Sequence, residues 1–454
     1  MNIKPEIFKA YDIRGKVPKE LNVDAARKIG NAIAVFLSRK YKKQKLTLFV
    51  GSDVRVSSPL LKKALIEGVT SQGSAVVDIG IVTTPLFYFA LSNSRNDGGV
   101  MVTASHNPPE YNGFKVLGKG LEPVSGESGL FAIKKLAAQK IQSSPKVIGA
   151  IREERGWTER YISCLAKKAK IGKARVVIDA AGGSAALILP KLLSRFPNLI
   201  YKPLFFTPDG TFSLHNPNPT LAEAQDFAKE ELASGSFDFG VIFDGDGDRI
   251  LFLDEFGKEV RGDFITALLA GWFLKKHRGD AVVLNVTASK AAEEYIMAAG
   301  GKSIRSKMGY VHISPLMRQK RAIVGGETSH HFYFRDFAYK ESSMYALLKM
   351  LEIVSRTPKK LSHIVRPLQK YHTAPETNFS VKNKKSAIAS VLKKFARGGK
   401  VSRLDGITVD FPDWWFNLRP SNTEPLVRLT IEANTKELFD EKQKEISDFI
   451  NGLA

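Results

Sequence analysis

The chain has 454 residues, 43% of them hydrophobic, and a formal net charge of +22 at pH 7. This length exceeds what one ordinary hydrophobic core accommodates and predicts several domains. The longest apolar runs fall well short of the ~20 residues that a membrane-spanning helix requires, which argues against an integral membrane protein.

The basic excess and the cysteine content bear on partners and compartment. The densest basic run, residues 39–45, closes a helix-like segment where cations are favoured, and the remaining excess is spread along the chain without interleaved aromatic residues. We therefore expect no nucleic-acid and no membrane partner, and the reason for the net charge stays open. The single cysteine, Cys164, excludes an intrachain disulfide, and the first residues lack an apolar signal core, so we expect a cytoplasmic protein.

One pattern recurs along the first two-thirds of the chain. Segments that start at residues 48, 176 and 282 each consist of an apolar run, a small-residue turn and an amphipathic stretch. The predicted helices are 60–68, 186–193 and 291–298. Strand–turn–helix units of this kind predict α/β domains of similar plan, with mostly parallel sheets covered by helices.

A serine loop follows the apolar run 99–102. Ser105 is followed by His106, Asn107 and Pro108, which end a strand and form a shaped loop. A hydroxyl is thereby expected at the carboxyl edge of a sheet, where α/β folds carry their chemistry. The segment alone is equally typical of an ordinary turn.

An acidic loop, Asp244-Gly-Asp-Gly-Asp-Arg249, lies between the apolar runs 239–243 and 250–253. Its carboxylates stand at alternate positions separated by glycines, so they can converge on one point. Like charges so close require a cation, and carboxylates without nearby Cys or His favour Mg²⁺ over zinc. The alternative is a solvated hairpin turn, since Asp-Gly is a strong hairpin signal.

Two further polar loops come later in the chain. Residues 325–331, Gly-Gly-Glu-Thr-Ser-His-His, follow a strand and could bond sugar hydroxyls, although the segment taken alone favours a glycine turn with structural histidines. Residues 419–425, Arg-Pro-Ser-Asn-Thr-Glu-Pro, offer a guanidinium fork and short donors to a phosphate. They lie between alternating strands at 407–411 and 427–432, which predict a separate α+β domain closed by a helix at 436–450.

Together these loops resemble those of one family, the α-D-phosphohexomutases, and residues 11–15, Tyr-Asp-Ile-Arg-Gly, resemble its amino-terminal signature. The resemblance covers essentially the whole chain. It implies three similar α/β domains with mixed, mostly parallel sheets, plus a C-terminal α+β domain, around a central cleft. The expected boundaries are 1–152 for the phosphoserine-loop domain, 153–254 for the metal-binding domain, 255–366 for the sugar-binding domain and 367–454 for the phosphate-binding domain.

The resemblance implies the reaction as well. Ser105 would be held as a phosphoserine and would share a Mg²⁺ ion with Asp244, Asp246 and Asp248. Family members transfer this phosphoryl group to a small phosphosugar, the bisphosphosugar reorients, and its other phosphate returns to the serine. Phosphate thus moves between C1 and C6, and a hexose 1,6-bisphosphate serves as activator. We expect a monomer and leave a dimer open.

The remaining roles also come from the resemblance. Lys115 and His331 match the family's acid–base candidates, with Arg14 orienting them. A lysine that acts as a base at neutral pH requires a depressed pKa, to which a cationic neighbour would contribute. The expected substrate contacts are Tyr11, His106, Arg249, Glu327, Ser329, Arg419, Ser421, Asn422, Thr423 and Arg428.

The identity of the sugar stays open. Thr328 stands where phosphomannomutases commonly carry Met and many phosphoglucomutases carry Lys. Residues 11–15 and 244–248 favour a phosphomannomutase or a bifunctional enzyme, with a phosphoglucomutase as the alternative. Glycine at position 247 argues against the phosphoglucosamine branch, which usually has alanine there. A non-catalytic sugar-phosphate sensor or basic scaffold is the alternative of another class, and it predicts binding without turnover.

Overall fold

The computed structural model describes residues 3–139, 148–421 and 426–453. The chain divides into two compact units, which are described here one by one. Unit 1 comprises Met1–Val260 and Ser329–Ser362, and unit 2 comprises Arg261–Thr328 and His363–Ala454. In the part of the chain that the structure describes, no helix combines the length and the apolar character needed to cross a membrane.

Unit 1 begins with a six-stranded sheet. Its strands are β1 (Ile13–Lys16), β2 (Thr47–Ser52), β3 (Ala75–Ile81), β4 (Gly98–Val102), β5 (Tyr111–Gly118) and β6 (Ile151–Glu153). They lie in the order β1-β5-β4-β2-β3-β6. Strand β2 is parallel to β3 and β4, whereas β5 is antiparallel to β1 and β4. The carboxyl ends of β2 and β4 therefore meet at one edge, where Asp53 and Thr103 follow them.

Four helices pack with this sheet. They are α1 (Val23–Tyr41), α2 (Ser58–Thr70), α3 (Thr84–Ser92) and α4 (Phe131–Ala138). Asn22 caps α1 by accepting a backbone N–H in its first turn, a role that asparagine favours. Helices α1 and α2 touch through their backbones, since a Cβ at Gly68 would lie 2.0 Å from the carbonyl oxygen of Arg27. Only glycine permits this crossing.

The second layer of unit 1 is a five-stranded sheet. Its strands are β7 (Ala174–Asp179), β8 (Leu199–Leu204), β9 (Phe239–Phe243), β10 (Ile250–Asp254) and β11 (Glu259–Val260). Strand β7 is parallel to β8 and β9, and β10 is antiparallel to β9 and β11. Its helices are α5 (Trp157–Lys167), α6 (Leu189–Leu193) and α7 (Asp226–Leu232). The acidic loop is the connection between β9 and β10, at the carboxyl end of a buried strand.

Unit 2 opens with three parallel strands in the order β13-β12-β14. These are β12 (Ala281–Asn285), β13 (Lys302–Ser306) and β14 (Val324–Gly326), accompanied by α8 (Gly262–Leu274), α9 (Lys290–Ala298) and α10 (Tyr310–Lys320). Ser289 caps α9 by accepting the N–H of Ala291. The layer therefore repeats the strand–turn–helix plan of unit 1.

The chain then returns to unit 1. Strands β15 (Phe332–Phe334) and β16 (Lys340–Glu341) form an antiparallel pair and lead into the buried helix α11 (Ser343–Ser355). The hydroxyls of Ser342 and Tyr161 are 2.8 Å apart, which connects this segment to α5. A short helix, α12 (Leu361–Val365), spans the passage back to unit 2.

Unit 2 ends in an antiparallel sheet with two helices. Its strands are β17 (His372–Thr373), β18 (Thr377–Ser380), β19 (Lys400–Ser402), β20 (Ile407–Asp410), β21 (Trp414–Pro420) and β22 (Leu426–Ala433). Its helices are α13 (Lys384–Phe395) and α14 (Lys436–Asn451). Val391, Phe416 and Ile446 are buried in one apolar core between them. The predicted α+β character of this region is confirmed.

The three α/β layers and most of the predicted elements are confirmed. The predicted helices at 60–68 and 291–298 lie within α2 and α9. The continuous helix predicted at 186–193 is wrong, because a 3₁₀ turn over Ser184–Leu187 precedes the short α6. Pro190 stands in the first turn of α6, a position that suits its fixed φ but would interrupt a longer helix.

A buried carboxylate links α8 to the turn before α9. Asp263 accepts hydrogen bonds from Arg261 Nη2 at 2.8 Å and from the N–H of Ser289 at 2.7 Å. Burial acts to raise the pKa of Asp263, but the guanidinium of Arg261 outweighs it and holds the pKa below its ordinary value. The folded state therefore gains stability from the ionised carboxylate.

We expect Asp263→Asn to lower the free energy of unfolding by about 2 kcal/mol at neutral pH, because a charged acceptor becomes neutral. The difference from wild type should be complete above the ordinary carboxyl pKa of about 3.9 and should shrink as the pH falls through the lower pKa of the folded state. Urea unfolding at pH 7, 5 and below 4 measures it. The exposed Asp440→Asn in the same unit should change stability by less than about 0.5 kcal/mol. A difference that widens in acid would contradict this assignment.

Candidate functional site

Ser105 lies buried in the turn that follows β4. Its backbone adopts φ +51°, in the left-handed region that side chains other than glycine rarely occupy. The Ser105 hydroxyl donates to Asp244 Oδ2 at 2.7 Å. His106 Nδ1 lies 3.2 Å from Ser105 Oγ. Two sequence-predicted residues from separate sheets, Ser105 and Asp244, are thus brought into direct contact.

The acidic loop gathers three carboxylates. One oxygen from each of Asp244, Asp246 and Asp248 lies within 4.8 Å of the others, and all three side chains are buried. Gly245 is essential to this approach, because a Cβ there would lie 2.7 Å from the carbonyl oxygen of Ser105. Gly247 adopts φ +70°, which glycine accepts without strain. The loop is therefore shaped to bring carboxylates against the serine turn.

The pKa values of these carboxyl groups are shifted in opposite directions. Burial and the charges of Asp248 and Asp246 raise the pKa of Asp244 well above its usual range. Burial also acts to raise the pKa of Asp248, but Lys115 and His331 outweigh it and hold that pKa well below the usual range. Asp246 Oδ1 is buried and has no hydrogen-bond partner among the described residues. A hard divalent cation bound by these oxygens would relieve both the repulsion and the unsatisfied atom, so the residues fit Mg²⁺.

Lys115 extends from β5 into the cluster. Its Nζ lies 2.9 Å from Asp246 Oδ2 and also donates to Asp248 Oδ2. Burial acts to lower the pKa of Lys115, but the two carboxylates outweigh it and the pKa is raised. The depressed pKa that a base at neutral pH requires is absent from this arrangement, because Arg14, which does act to lower the pKa, is weaker than the two anions. The acid–base role of Lys115 stays a prediction.

Arg14 and Tyr11 precede this site in the chain. Arg14 Nε donates to Asp12 Oδ2 at 2.9 Å, and its Nη1 donates to the carbonyl oxygen of Ala104 and to Asn107 Oδ1. Arg14 thus contacts the serine turn on both sides of Ser105. Tyr11 is half-buried at the start of the same segment, and its predicted substrate contact is not tested.

Arg249, at the end of the acidic loop, and His331, directly before β15, lie beside the carboxylates. Arg249 Nε donates to His331 Nε2 at 3.3 Å, and the same nitrogen of His331 lies 3.3 Å from Asp248 Oδ1. Ser329 Oγ lies 3.2 Å from His331 Nδ1. These three predicted residues are therefore adjacent to one another and to the acidic loop.

His106 is held neutral beside the serine. Burial, with the cationic charges of Arg249 and Arg14, lowers the pKa of His106 well below its usual value. A neutral imidazole 3.2 Å from the Ser105 hydroxyl can accept or donate a hydrogen bond but adds no positive charge. Its predicted substrate contact is not tested.

The predicted residues of unit 2 form a separate set. Glu327 is buried and accepts the N–H of Gly309 at 2.9 Å. Arg419 donates through Nε and Nη2 to both carboxylate oxygens of Glu376, at 3.0 and 2.9 Å, and Arg428 Nη1 lies 3.6 Å from the same carboxylate. The predicted phosphate ligand Arg419 is thus held by a carboxylate that the sequence reasoning missed.

The loop that contains Arg419 is only partly described. Ser421 is buried, and its Oγ has no hydrogen-bond partner among the described residues. The predicted contacts Asn422 and Thr423 lie outside the described residues. In the loop of residues 325–331, the hydroxyl of Thr328 lies 3.0 Å from Asn285 Nδ2 and 3.2 Å from the hydroxyl of Thr287. Thr328 is therefore already engaged in a polar network of unit 2.

Sequence reasoning missed three residues that organise the site in unit 1. Thr84 and Thr103 donate to Asp246 Oδ2 at 2.7 and 3.1 Å. Arg55 is fully buried and donates to the carbonyl oxygens of the serine turn. An arginine two residues after Asp53, directly beyond the apolar strand β2, is the sequence signal that could have indicated it.

Comparison with known proteins agrees with this arrangement. Models of the phosphoglucomutase/phosphomannomutase alpha/beta/alpha domains I, II and III match residues 5–142, 159–257 and 261–371, and that of the C-terminal domain matches 376–449. The crystal structure of a phosphoglucomutase/phosphomannomutase family protein from Burkholderia thailandensis superimposes with a TM-score of 0.90 at 29% identity, covering 99% of this chain and 98% of that one.

Similar sequences extend from end to end of the chain. Phosphohexose mutases of Xanthomonas campestris are 37% identical over 98% of this chain and 99% of the relative. A phosphomannomutase of Salmonella montevideo is 38% identical over 98% of both chains, and one of Escherichia coli K12 is 38% identical over 94% of both. Because these relatives match throughout and all four domain models follow in order, the chain belongs to the phosphoglucomutase/phosphomannomutase family and is a phosphohexomutase.

Proposed function

We propose that this phosphohexomutase acts on mannose phosphate, or on mannose and glucose phosphates alike, through a phosphoserine at Ser105. The observation that carries the proposal is the contact of the Ser105 hydroxyl with Asp244 inside a buried, unbalanced carboxylate cluster. The relatives that bear the name phosphomannomutase support mannose phosphate as a substrate. A phosphoglucomutase is the alternative within the same class.

The proposed reaction moves one phosphoryl group in each half. The bond between phosphorus and Ser105 Oγ breaks, and a bond forms between phosphorus and a hydroxyl oxygen of the phosphosugar. The proton of that hydroxyl passes to a nearby base, and a proton returns to Ser105 Oγ. In the second half, the other phosphate of the hexose 1,6-bisphosphate returns to Ser105 by the same exchange, so atoms and charge balance over the cycle.

Asp244, Asp246 and Asp248 would hold the Mg²⁺ ion, which when bound neutralises charge on the transferring phosphoryl group. Lys115, charged and 2.9 Å from Asp246, adds positive charge at the same place. His331, between Ser329, Arg249 and Asp248, is the group proposed to exchange a proton with the substrate.

Further residues are proposed to contact the remainder of the substrate. Glu327 offers a carboxylate to sugar hydroxyls, and Ser329 offers a hydroxyl. The phosphate that is not being transferred would be bound by the loop of Arg419, Ser421, Asn422 and Thr423, with Arg428. Tyr11, His106 and Arg249 remain proposed contacts near Ser105.

We further propose a cytoplasmic monomer whose substrate is a small phosphosugar and which has no nucleic-acid partner. A single cysteine and a basic excess spread along the chain support this proposal. Size-exclusion chromatography with light scattering measures the oligomeric state, and a dimer would contradict this part alone.

Ser105→Ala should abolish isomerisation, because the hydroxyl that carries the phosphoryl group is removed. Wild type and variant are compared with Mg²⁺, a hexose 1,6-bisphosphate primer, and mannose, glucose or glucosamine 1-phosphate in parallel. We expect mannose 1-phosphate turnover by wild type and a fall of at least about 10³-fold in Ser105→Ala.

The matched control for this experiment is Ser74→Ala. Ser74 is also a buried serine of unit 1, and its hydroxyl has no hydrogen-bond partner among the described residues. Its activity should equal that of wild type. Turnover of glucose 1-phosphate alone would show that the protein is the alternative, a phosphoglucomutase. Phosphosugar binding by wild type without any turnover would favour a non-catalytic sensor.

Mg²⁺ should stabilise the wild-type protein, because it relieves the repulsion among the buried carboxylates. At a concentration about 100 times its Kd, the gain is about 2.7 kcal/mol, seen as a rise of the thermal midpoint over that in EDTA. Asp246→Asn should lose most of this rise, whereas the exposed Glu223→Gln should retain it. Equal rises in all three proteins would show that Mg²⁺ binds elsewhere.

A further inference from the structure

Every N–H of the Arg55 guanidinium has a hydrogen-bond acceptor. Its Nη2 donates to the carbonyl oxygens of Ser105 and Asn107 at 2.7 and 2.6 Å, and its Nη1 donates to those of Pro108 and Tyr111 at 2.8 and 3.1 Å. Its Nε donates to Asp53 Oδ2 at 3.2 Å. A guanidinium has five N–H donors, and all five are used here.

These bonds hold a turn that is strained by itself. Ser105 adopts φ +51°, and such a backbone persists only where the surroundings fix it. Four of the five bonds of Arg55 go to carbonyl oxygens between residues 105 and 111. A single rigid, planar group therefore fixes the direction of several peptide units around the reactive hydroxyl.

The opposite side of Arg55 faces the second layer. The guanidinium carbon lies 5.0 Å from the ring centroid of Phe212, within the range of a cation–π contact. A Cβ at Gly245 would lie 3.0 Å from the Phe212 ring and 2.7 Å from the carbonyl oxygen of Ser105. Phe212 thus contacts both Arg55 and the acidic loop. The serine turn, through Arg55, and the acidic loop are therefore packed against the same aromatic ring.

Arg55 is not arranged to bind substrate. Its side chain is completely buried, and no N–H remains for a phosphate oxygen. We propose that Arg55, supported by Phe212, is a positioning residue that sets the Ser105 hydroxyl against the metal loop for phosphoryl transfer. This inference rests on the proposed function and assigns to Arg55 no contact with the phosphosugar.

The test is Arg55→Lys, which keeps the charge but cannot reproduce the planar set of donors. We expect kcat to fall by about 10- to 100-fold, since small displacements of reacting groups have effects of this size. The KM for mannose 1-phosphate should stay within about threefold, and the rate of Ser105 phosphorylation by a hexose 1,6-bisphosphate should fall with kcat. Phosphorylation of Ser105 is followed by mass spectrometry.

Lys349→Met is the matched control for lost stability. Lys349 is a buried cation of unit 1 that pairs with Glu352 at 2.8 Å, outside the site. Its removal should lower the thermal midpoint while leaving kcat and Ser105 phosphorylation at wild-type levels. Arg55→Lys with wild-type phosphorylation and kcat would overturn the inference, and a raised KM with unchanged kcat would show that Arg55 binds substrate instead.

A second variant keeps the test decisive if Arg55→Lys does not fold. Phe212→Leu retains apolar volume and removes the aromatic face, and we expect kcat and the phosphorylation rate to fall together by about three- to tenfold. Unchanged values in Phe212→Leu, with no folded Arg55→Lys, would overturn the inference. A wild-type protein that is never phosphorylated on Ser105 would overturn the proposed function as well, which distinguishes the two failures.

Discussion

The buried aspartates of the acidic loop are the constraint on which unit 1 depends. Three carboxylates within 4.8 Å of one another repel, and burial deprives them of solvent. The first sheet of unit 1 and its helices compensate for this charge. Asp246 Oδ2 accepts hydrogen bonds from Thr84 at the start of α3, from Thr103 after β4 and from Lys115 in β5. The two sheets therefore meet where one has excess negative charge and the other has donors.

The sequence pattern was sufficient for most of the elements and for some of the side chains that follow strands, although Thr103, directly after β4, was missed. Ser105 and Asp244 were identifiable because polar residues interrupt apolar runs at strand ends. Lys115 lies inside β5, where it reads as one alternate residue of a strand, and only the family resemblance indicated it. The acceptors of Arg55 are mainly backbone carbonyls, which every residue has, so no residue pattern could reveal them.

In unit 2, one of the side chains predicted to bind phosphate, Arg419, already has a carboxylate partner. The fork of Arg419 is bound by both oxygens of Glu376, a residue that lies 43 positions earlier in the chain. A phosphate that takes these same two donors must displace the carboxylate, and its greater negative charge is what favours the exchange. Spacing within the loop could not predict this partner, because the antiparallel sheet rather than the sequence brings it close.

Ser105 combines two requirements that conflict. The backbone at φ +51° suits glycine, but glycine has no hydroxyl, so the chain accepts strain of about 1–3 kcal/mol where the Ser105 hydroxyl donates to Asp244. The opposite choice is made at Gly245, where close approach matters and a side chain would collide with the Ser105 carbonyl. Close approach is thus secured in the acidic loop, and the hydroxyl is kept in the serine turn. A strained turn must be fixed by its neighbours, and four bonds from a buried guanidinium fix it more completely than one mobile ammonium could.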